Sequence, residues 1–182
     1  MKKNNIETSK FLSYILRHEP ESIRLILDSE GWANINELVQ LANTSGNNIS
    51  LEQIHAIVEN DKKGRFSISD DRQFVRAVQG HSLKTIDLKL EEAIPPVSLF
   101  HGTAQRFIEK INDEGLLPKE RQYVHLTEDY DTAIKTGMRY GKPVVLNIDS
   151  RKMQENGYKF YQAENNVWLT PTVPSAYIAF NK

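Results

Sequence analysis

Arginine and histidine are the side chains from which this chain could build an anion-binding site, and they stand at a few well-separated places. Arg17 and His18 are adjacent in "SYILRHEPESIRL", where an apolar helical pattern runs into Pro20. Arg65 opens "RFSIS", whose alternation sends Phe66 and Ile68 to one face and Arg65, Ser67 and Ser69 to the other. His101 closes the strand-like "VSLFHGT", with Gly102 and Thr103 in the turn before a helix. His125 holds the equivalent place in "QYVHLT", and Arg121 lies on the loop entering that strand. Strand ends that open into helices present outward-facing backbone N–H groups, which suit an anionic ligand.

Taken singly, each of these has a plain structural explanation. Cations in the last turn of a helix favour its dipole by ~0.3–1 kcal/mol, which accounts for Arg17 and His18. Arg65 alone reads as an exposed strand arginine and Arg121 as a solvated charge, and "FHGT" reads equally well as a capped turn. "QGHS", residues 79–82, closes a predicted hairpin, where Gly80 serves a turn or a close backbone approach to a ligand. Several other chemistries lack their motifs. No GxGxxG supports a Rossmann dinucleotide site, and "GMRYGKP" has Pro143 where a phosphate-cradling loop needs Ser or Thr. No HExxH spacing, Ser–His–Asp order or paired acid motif stands out, and nothing marks Glu128 or Glu164 as a base.

These residues must be positioned by a chain of 182 residues, 39% of them hydrophobic, which is enough for one medium domain or two small lobes. Phe11, Leu12, Ile15 and Leu16 predict a helix over residues 8–18, and "GWANINELVQLAN" predicts a turn at Gly31 and a helix to about Asn43. Ser50 and Gln53 form a capping box ahead of "LEQIHAIVEN". "RFSIS" and "QFVRAV" flank "DDR" as a β-hairpin. Three helices followed by a hairpin is the order of a winged-helix module. "LKLEEAIPP", residues 88–96, reads as a linker and divides the chain into 1–93 and 94–182. Beyond it, strands in "VSLFHGT", "QYVHLT", "KPVVLNID", "YKFYQA", "NVWLT" and "AYIAF", with two helices, predict an α+β lobe.

Composition narrows the partners. Net charge is −1, so a protein that wraps nucleic acid by bulk electrostatics is excluded, and any nucleic-acid contact must rest on a few focused cations. The absence of cysteine rules out disulfides and thiolate metal sites. With no apolar run of membrane-span length and no apolar leader in "MKKNNIETSK", a soluble, cytoplasmic, monomeric protein is expected.

The motifs fall in one collinear order that resembles the tRNA 2′-phosphotransferase family from about Ser9 to about Ala179. "SKFLSYILRHEPESIRLILDSEGWANINELV" is similar to that family's LSK-x-LS-xx-LRH opening and following LD-x-x-GW; "VENDKKGRFSI" to its NDK-x-RF element, with one extra lysine; and "RAVQGHS" to its RA-x-QGHS. "LFHGT", "RQYVHLT", "GMRYGKPVVLNID" and "NVWLT" resemble its ADP-ribosyltransferase-like half, with Asn166 where glycine is more usual.

The resemblance implies a winged-helix-like RNA 2′-phosphate-binding lobe over 1–93 and an ADP-ribosyltransferase-like NAD-binding lobe over 94–182. It implies an enzyme that moves an internal RNA 2′-phosphate onto NAD⁺ through a 2′-phospho-ADP-ribosyl RNA intermediate. Nicotinamide and ADP-ribose 1″,2″-cyclic phosphate are released, and ligated tRNA splice junctions are the family's best-known substrates. The catalytic set carries over to Arg17, His18, Arg65 and Arg121, around one phosphate. His101, Gly102, Thr103, His125, Leu126, Thr127 and Arg139 carry over to the NAD site, and Gly80, His81 and Ser82 to substrate binding. No metal is expected, because guanidinium groups would supply the charge a Mg²⁺ otherwise would. The rival enzyme reading is an ADP-ribosyltransferase that caps terminal phosphates of RNA or DNA. The rival binding reading, a winged-helix nucleic-acid sensor, is weakened by the acidic polar face of "LEQIHAIVEN".

Overall fold

The computed structural model describes residues 2–180, which divide into two compact units between Lys89 and Leu90, unit 1 before that point and unit 2 after it. Unit 1 begins with α1 (Lys2–Arg17), a 3₁₀ turn (Pro20–Ile23), β1 (Ala33–Asn34), α2 (Ile35–Thr44) and α3 (Leu51–Glu59). It closes with β2 (Phe66–Ile68) and β3 (Phe74–Ala77). Leu12, Ile15 and Leu16 recur at helical spacing and are fully buried with Ile35, Leu38 and Ile54, so the three helices share one core. α1 ends before Pro20, whose ring fixes φ for the first position of the 3₁₀ turn. β2 and β3 form the expected hairpin, Phe66 opposite Ala77, and β1 adds on the other side to give the order β1-β3-β2.

α1 starts at Lys2 rather than near residue 8. Residues 2–5, "KKNN", carry no apolar stripe, so periodicity has nothing to report there. Propagation from the packed end extends the helix, one hydrogen bond per residue. Only half of the capping box forms. Ser50 Oγ accepts from Gln53 N–H at 3.2 Å, while the Gln53 amide donates instead to Thr8 Oγ1 at 3.1 Å, tying α3 to α1.

Unit 2 contains β4 (Leu99–Ala104), α4 (Ile108–Glu114), β5 (Val124–Leu126), α5 (Tyr130–Gly137) and β6 (Pro143–Ile148). α6 (Ser150–Glu155), β7 (Tyr161–Gln162), β8 (Trp168–Thr170) and β9 (Ile178–Phe180) complete it. All pairings are antiparallel, in two three-stranded sheets ordered β4-β6-β9 and β5-β8-β7. A single bridge between Phe100 and Thr127 brings the edges of β4 and β5 together. Leu99, Leu126, Leu146, Ile148, Met153 and Phe160 form the core. α6 is a third helix in a lobe expected to hold two. It is six residues long with one inward apolar side chain, Met153, too little for a periodic pattern, and it is set by the Asp149 cap that accepts from Lys152 N–H at 3.2 Å.

The division of the chain falls at 89/90, four residues before the 93/94 boundary expected from sequence. Residues 92 and 93 pair with unit 2: Glu92 bridges Tyr161, and Ala93 N–H donates to the Phe160 carbonyl at 2.8 Å. Among the described residues, no helix is long and apolar enough to cross a membrane.

Candidate active site

In unit 1 the end of α1 is held by the segment after β3. Ser82 N–H donates to the Arg17 carbonyl at 3.0 Å, and Ser82 Oγ lies 3.0 Å from His18 Nδ1 and 3.4 Å from the same carbonyl. With the hydroxyl proton on that carbonyl, Nδ1–H donates to Oγ, and Nε2 becomes the nitrogen that exchanges protons with a ligand. Gly80, at φ +90°, lies against the Arg17 side chain, and a Cβ there would stand 3.5 Å from Nη1. Only glycine takes that backbone conformation without strain.

Arg65 joins the same cluster. Arg17 Nη2 is 3.5 Å from the Arg65 carbonyl, so the Arg17 guanidinium reaches the Arg65 backbone although the two residues are 48 positions apart. The Arg65 guanidinium is oriented by Asp61, with Nη2 at 2.9 Å from Oδ1 and Nε at 3.1 and 3.2 Å from the two carboxylate oxygens. Burial alone would raise the Asp61 pKa; the hydrogen bonds and charge of Arg65 outweigh it and hold the carboxyl below its usual range. Asp61 was not among the residues singled out from sequence. Its signal was available as the i,i+4 spacing of acid and base in "DKKGR".

His81 differs from its neighbours in "QGHS". Expected among substrate-binding residues, it is 2% exposed and lies against Gly31, where a Cβ would stand 3.3 Å from the His81 Nε2. Neither ring nitrogen makes a hydrogen bond among the described residues. Burial, assisted by the positive charges of Arg17, His18 and Arg76, holds its pKa down to about 4, so the ring is neutral at pH 7.

In unit 2, β4 and β5 bring His101 and His125 together. His101 Nδ1 donates to the His125 carbonyl at 2.9 Å, fixing the tautomer and leaving Nε2 as an acceptor. Burial, with Arg121 and Lys119 adding positive charge, keeps His101 below its ordinary pKa against the opposing pull of that carbonyl. Arg121 Nη1 donates to His125 Nδ1 at 3.1 Å, so Arg121, His125 and His101 form one connected group. The loop carrying Arg121 is tied down nearby: Lys119 Nζ stands 5.3 Å from the Phe107 ring centroid, with Arg106 also over that ring.

The other residues expected at the NAD site divide by role. Thr103 and Leu126 are buried, and the Leu126 side chain belongs to the core. Thr127 Oγ1 accepts from Asp129 N–H at 3.1 Å and shapes the entry to α5. Arg139 is exposed, in the 3₁₀ turn Met138–Tyr140 that follows α5. Gly102 is required for packing. A Cβ there would lie 1.8 Å from the Ala133 carbonyl oxygen, so α5 is seated directly on β4. Gly137 repeats the device one turn later, with a Cβ at 2.4 Å from the Thr103 carbonyl oxygen. The structure thus gathers Arg17, His18, Arg65 and the "QGHS" segment in unit 1, and His101, Arg121 and His125 in unit 2. Among the described residues, no group of three His, Asp or Glu side chains is arranged to hold a metal ion.

Comparison with known proteins adds an independent line. Residues 3–172 match the model of a family described as RNA 2′-phosphotransferase, Tpt1/KptA family. The chain is 54% identical over 179 residues, 98% of both chains, to a probable RNA 2′-phosphotransferase of Pseudomonas fluorescens. It is 53% identical to a protein so named from Pectobacterium carotovorum, covering 94% of this chain and 92% of that one. It is also 53% identical to one from Acaryochloris marina, over 93% of each chain.

Proposed function

The chain belongs to the RNA 2′-phosphotransferase, Tpt1/KptA family, and from that membership we propose that it removes an internal 2′-phosphate from RNA with NAD⁺ as co-substrate. The reaction runs through 2′-phospho-ADP-ribosylated RNA and releases nicotinamide and ADP-ribose 1″,2″-cyclic phosphate. The order α1-β1-α2-α3-β2-β3 supports a winged-helix-like reading of unit 1, and the paired antiparallel sheets of unit 2 support an ADP-ribosyltransferase-like one. The observation that carries the proposal is the clustering of Arg17, His18 and Arg65, brought from two places in the chain to form an anion site in a protein of net charge −1.

Arg17 and Arg65 bind the RNA 2′-phosphate, and Arg121 contributes a further guanidinium to the phosphoryl chemistry. Guanidinium groups suit this task because they stay charged and fork onto phosphate oxygens. The groups of unit 2 fit a dinucleotide: the Arg121 guanidinium donates to phosphate oxygens, and His101 Nε2 accepts from a ribose hydroxyl. NAD⁺ supplies a ribose carbon activated by its nicotinamide leaving group. The 2′-phosphate is already an anion, so the first displacement needs alignment rather than a base. In the second displacement the ribose 2″-hydroxyl, giving up its proton to water, bonds to the phosphorus as the RNA 2′-oxygen departs. His18, oriented through Nδ1 by Ser82, donates a proton to it from Nε2.

The test is incubation of the protein with NAD⁺ and an RNA bearing one internal 2′-phosphate, followed by product analysis. Free 2′-hydroxyl RNA with nicotinamide and cyclic phosphate is the expected outcome, and it is expected to survive EDTA because guanidinium groups carry the charge. ADP-ribose retained on terminal phosphates as the end product would replace the proposal with nucleic-acid capping. H18A is expected to accumulate the ADP-ribosylated RNA, and equal loss of both displacements would overturn the role given to His18.

A further inference from the structure

Among the described residues, the hydrogen bonds of the Asp61 carboxylate reach the anion site only through Arg65, by its backbone N–H, Nε and Nη2. Its Oδ2 accepts the Arg65 backbone N–H at 2.7 Å, and Oδ1 accepts Lys63 N–H at 3.3 Å. The carboxylate also takes Arg65 Nε and Nη2, while the second proton of Nη2 goes to Ser9 Oγ at 3.1 Å. A guanidinium has five N–H donors in a fixed plane. Three are thereby committed, and those on Nη1 make no hydrogen bond among the described residues. The Asp61 side chain is 4% exposed and that of Arg65 30%, so the acid is withdrawn from water while the base keeps one edge outward.

A surface i,i+4 pair would not look like this. Withdrawing a carboxylate from water is costly, and its attraction to one arginine seldom returns more than that cost. A turn former for residues 61–65 would need the two backbone contacts but not the clamp on Nε and Nη2. What the clamp accomplishes is to fix a long, rotatable side chain in one orientation and to cancel part of its charge, so that Arg65 acts as a directed donor.

We propose that Asp61 is a positioning residue for phosphate transfer: its carboxylate grips the Nε–Nη2 edge of Arg65 and presents Nη1 to the 2′-phosphate of the RNA. This rests on the assignment of Arg65 to phosphate binding. A guanidinium freed from the clamp would still find the phosphate, but in several orientations, and misplacement of about 1 Å costs about 10²-fold in rate.

The test is a double-mutant cycle on full-length protein with NAD⁺ and 2′-phosphorylated RNA, comparing D61A, D61N, R65A and D61A/R65A for kcat, KM and melting temperature. D61A is expected to lower kcat about 10²-fold with a smaller change in KM, and D61N less, because the asparagine oxygen remains an acceptor. In the R65A background D61A is expected to change kcat by less than about twofold, since the residue it serves is gone. A merely structural Asp61 would give losses that multiply with R65A and follow the melting temperature. Should D61A fail to fold, D61N against R65A and D61N/R65A carries the same comparison. Full kcat in D61A and D61N beside an inactive R65A would overturn the role of Asp61 alone, as would multiplicative losses. Full activity of R65A would overturn the phosphate assignment and this inference with it.

Discussion

Acid should destabilise unit 1 through His81, and the size of the effect follows from its surroundings. The ring is 2% exposed, lacks hydrogen-bond partners among the described residues, and sits amid the charges of Arg17, His18 and Arg76. Its pKa is held at about 4 against 6.5 for a free histidine. Above pH 6.5 the folded and unfolded chains bind the same number of protons at this site. Between 6.5 and 4 only the unfolded chain takes one up, so stability falls as pH falls, and below 4 the loss levels off. At 1.36 kcal/mol per unit, the full interval amounts to about 3 kcal/mol, and about 2 kcal/mol is already lost at pH 5. Leucine is the informative replacement. It does not titrate, and it abandons no hydrogen bond, so H81L is expected to match or exceed the wild type at pH 7.5. Urea unfolding followed by the fluorescence of Trp32, in a W168F background that leaves unit 1 the sole reporter, gives the stabilities at pH 7.5 and 5.0. Other groups, His101 included, titrate in both proteins and cancel in the difference. The wild type is expected to lose about 2 kcal/mol more than H81L between the two pH values. Equal losses would show that His81 takes up its proton in the folded state and would refute the reasoning.

Replacement of Ser82 by alanine removes the partner of His18 Nδ1, and S82A is expected to lower the rate of the second displacement by about 10- to 100-fold, a part of the roughly 10²–10⁴-fold that a general acid contributes. Its pH–rate profile should shift while the melting temperature changes little; an unchanged profile would refute the orienting role. G102A forces a Cβ to 1.8 Å from a backbone oxygen and is expected to cost at least about 3 kcal/mol, seen as lost soluble expression or a steep fall in melting temperature. Asn166 has φ +62°, so N166G is expected to leave stability within about 1 kcal/mol of the wild type, measured by urea unfolding.

Asn166 illustrates how sequence and structure divide the information. Its departure from the more usual glycine was visible, and so was the turn between β7 and β8. The structure shows Asn166 in the left-handed conformation, which asparagine tolerates better than most side chains. The β2–β3 hairpin, the stop of α1 before Pro20 and the Ser50 cap were equally legible, because each depends on residues within a few positions of one another. α6 escaped notice because six residues carry too little period, and the division at 89/90 because strand pairing of Glu92 and Ala93 is a long-range fact.

By itself the sequence determined the chemistry on offer: guanidinium and imidazole groups at set positions, the local elements that carry them, and a motif order similar to one family of enzymes. Only the tertiary structure decided what each group does. It turned His81 inward while leaving Ser82 on His18, made Gly102 a packing residue beneath α5, and placed Asp61 on Arg65. The reason is physical. Burial, hydrogen-bond partnership and close approach are properties of atoms adjacent in space, and residues such as Arg17 and Ser82, 65 positions apart, become neighbours only when the core between them has formed.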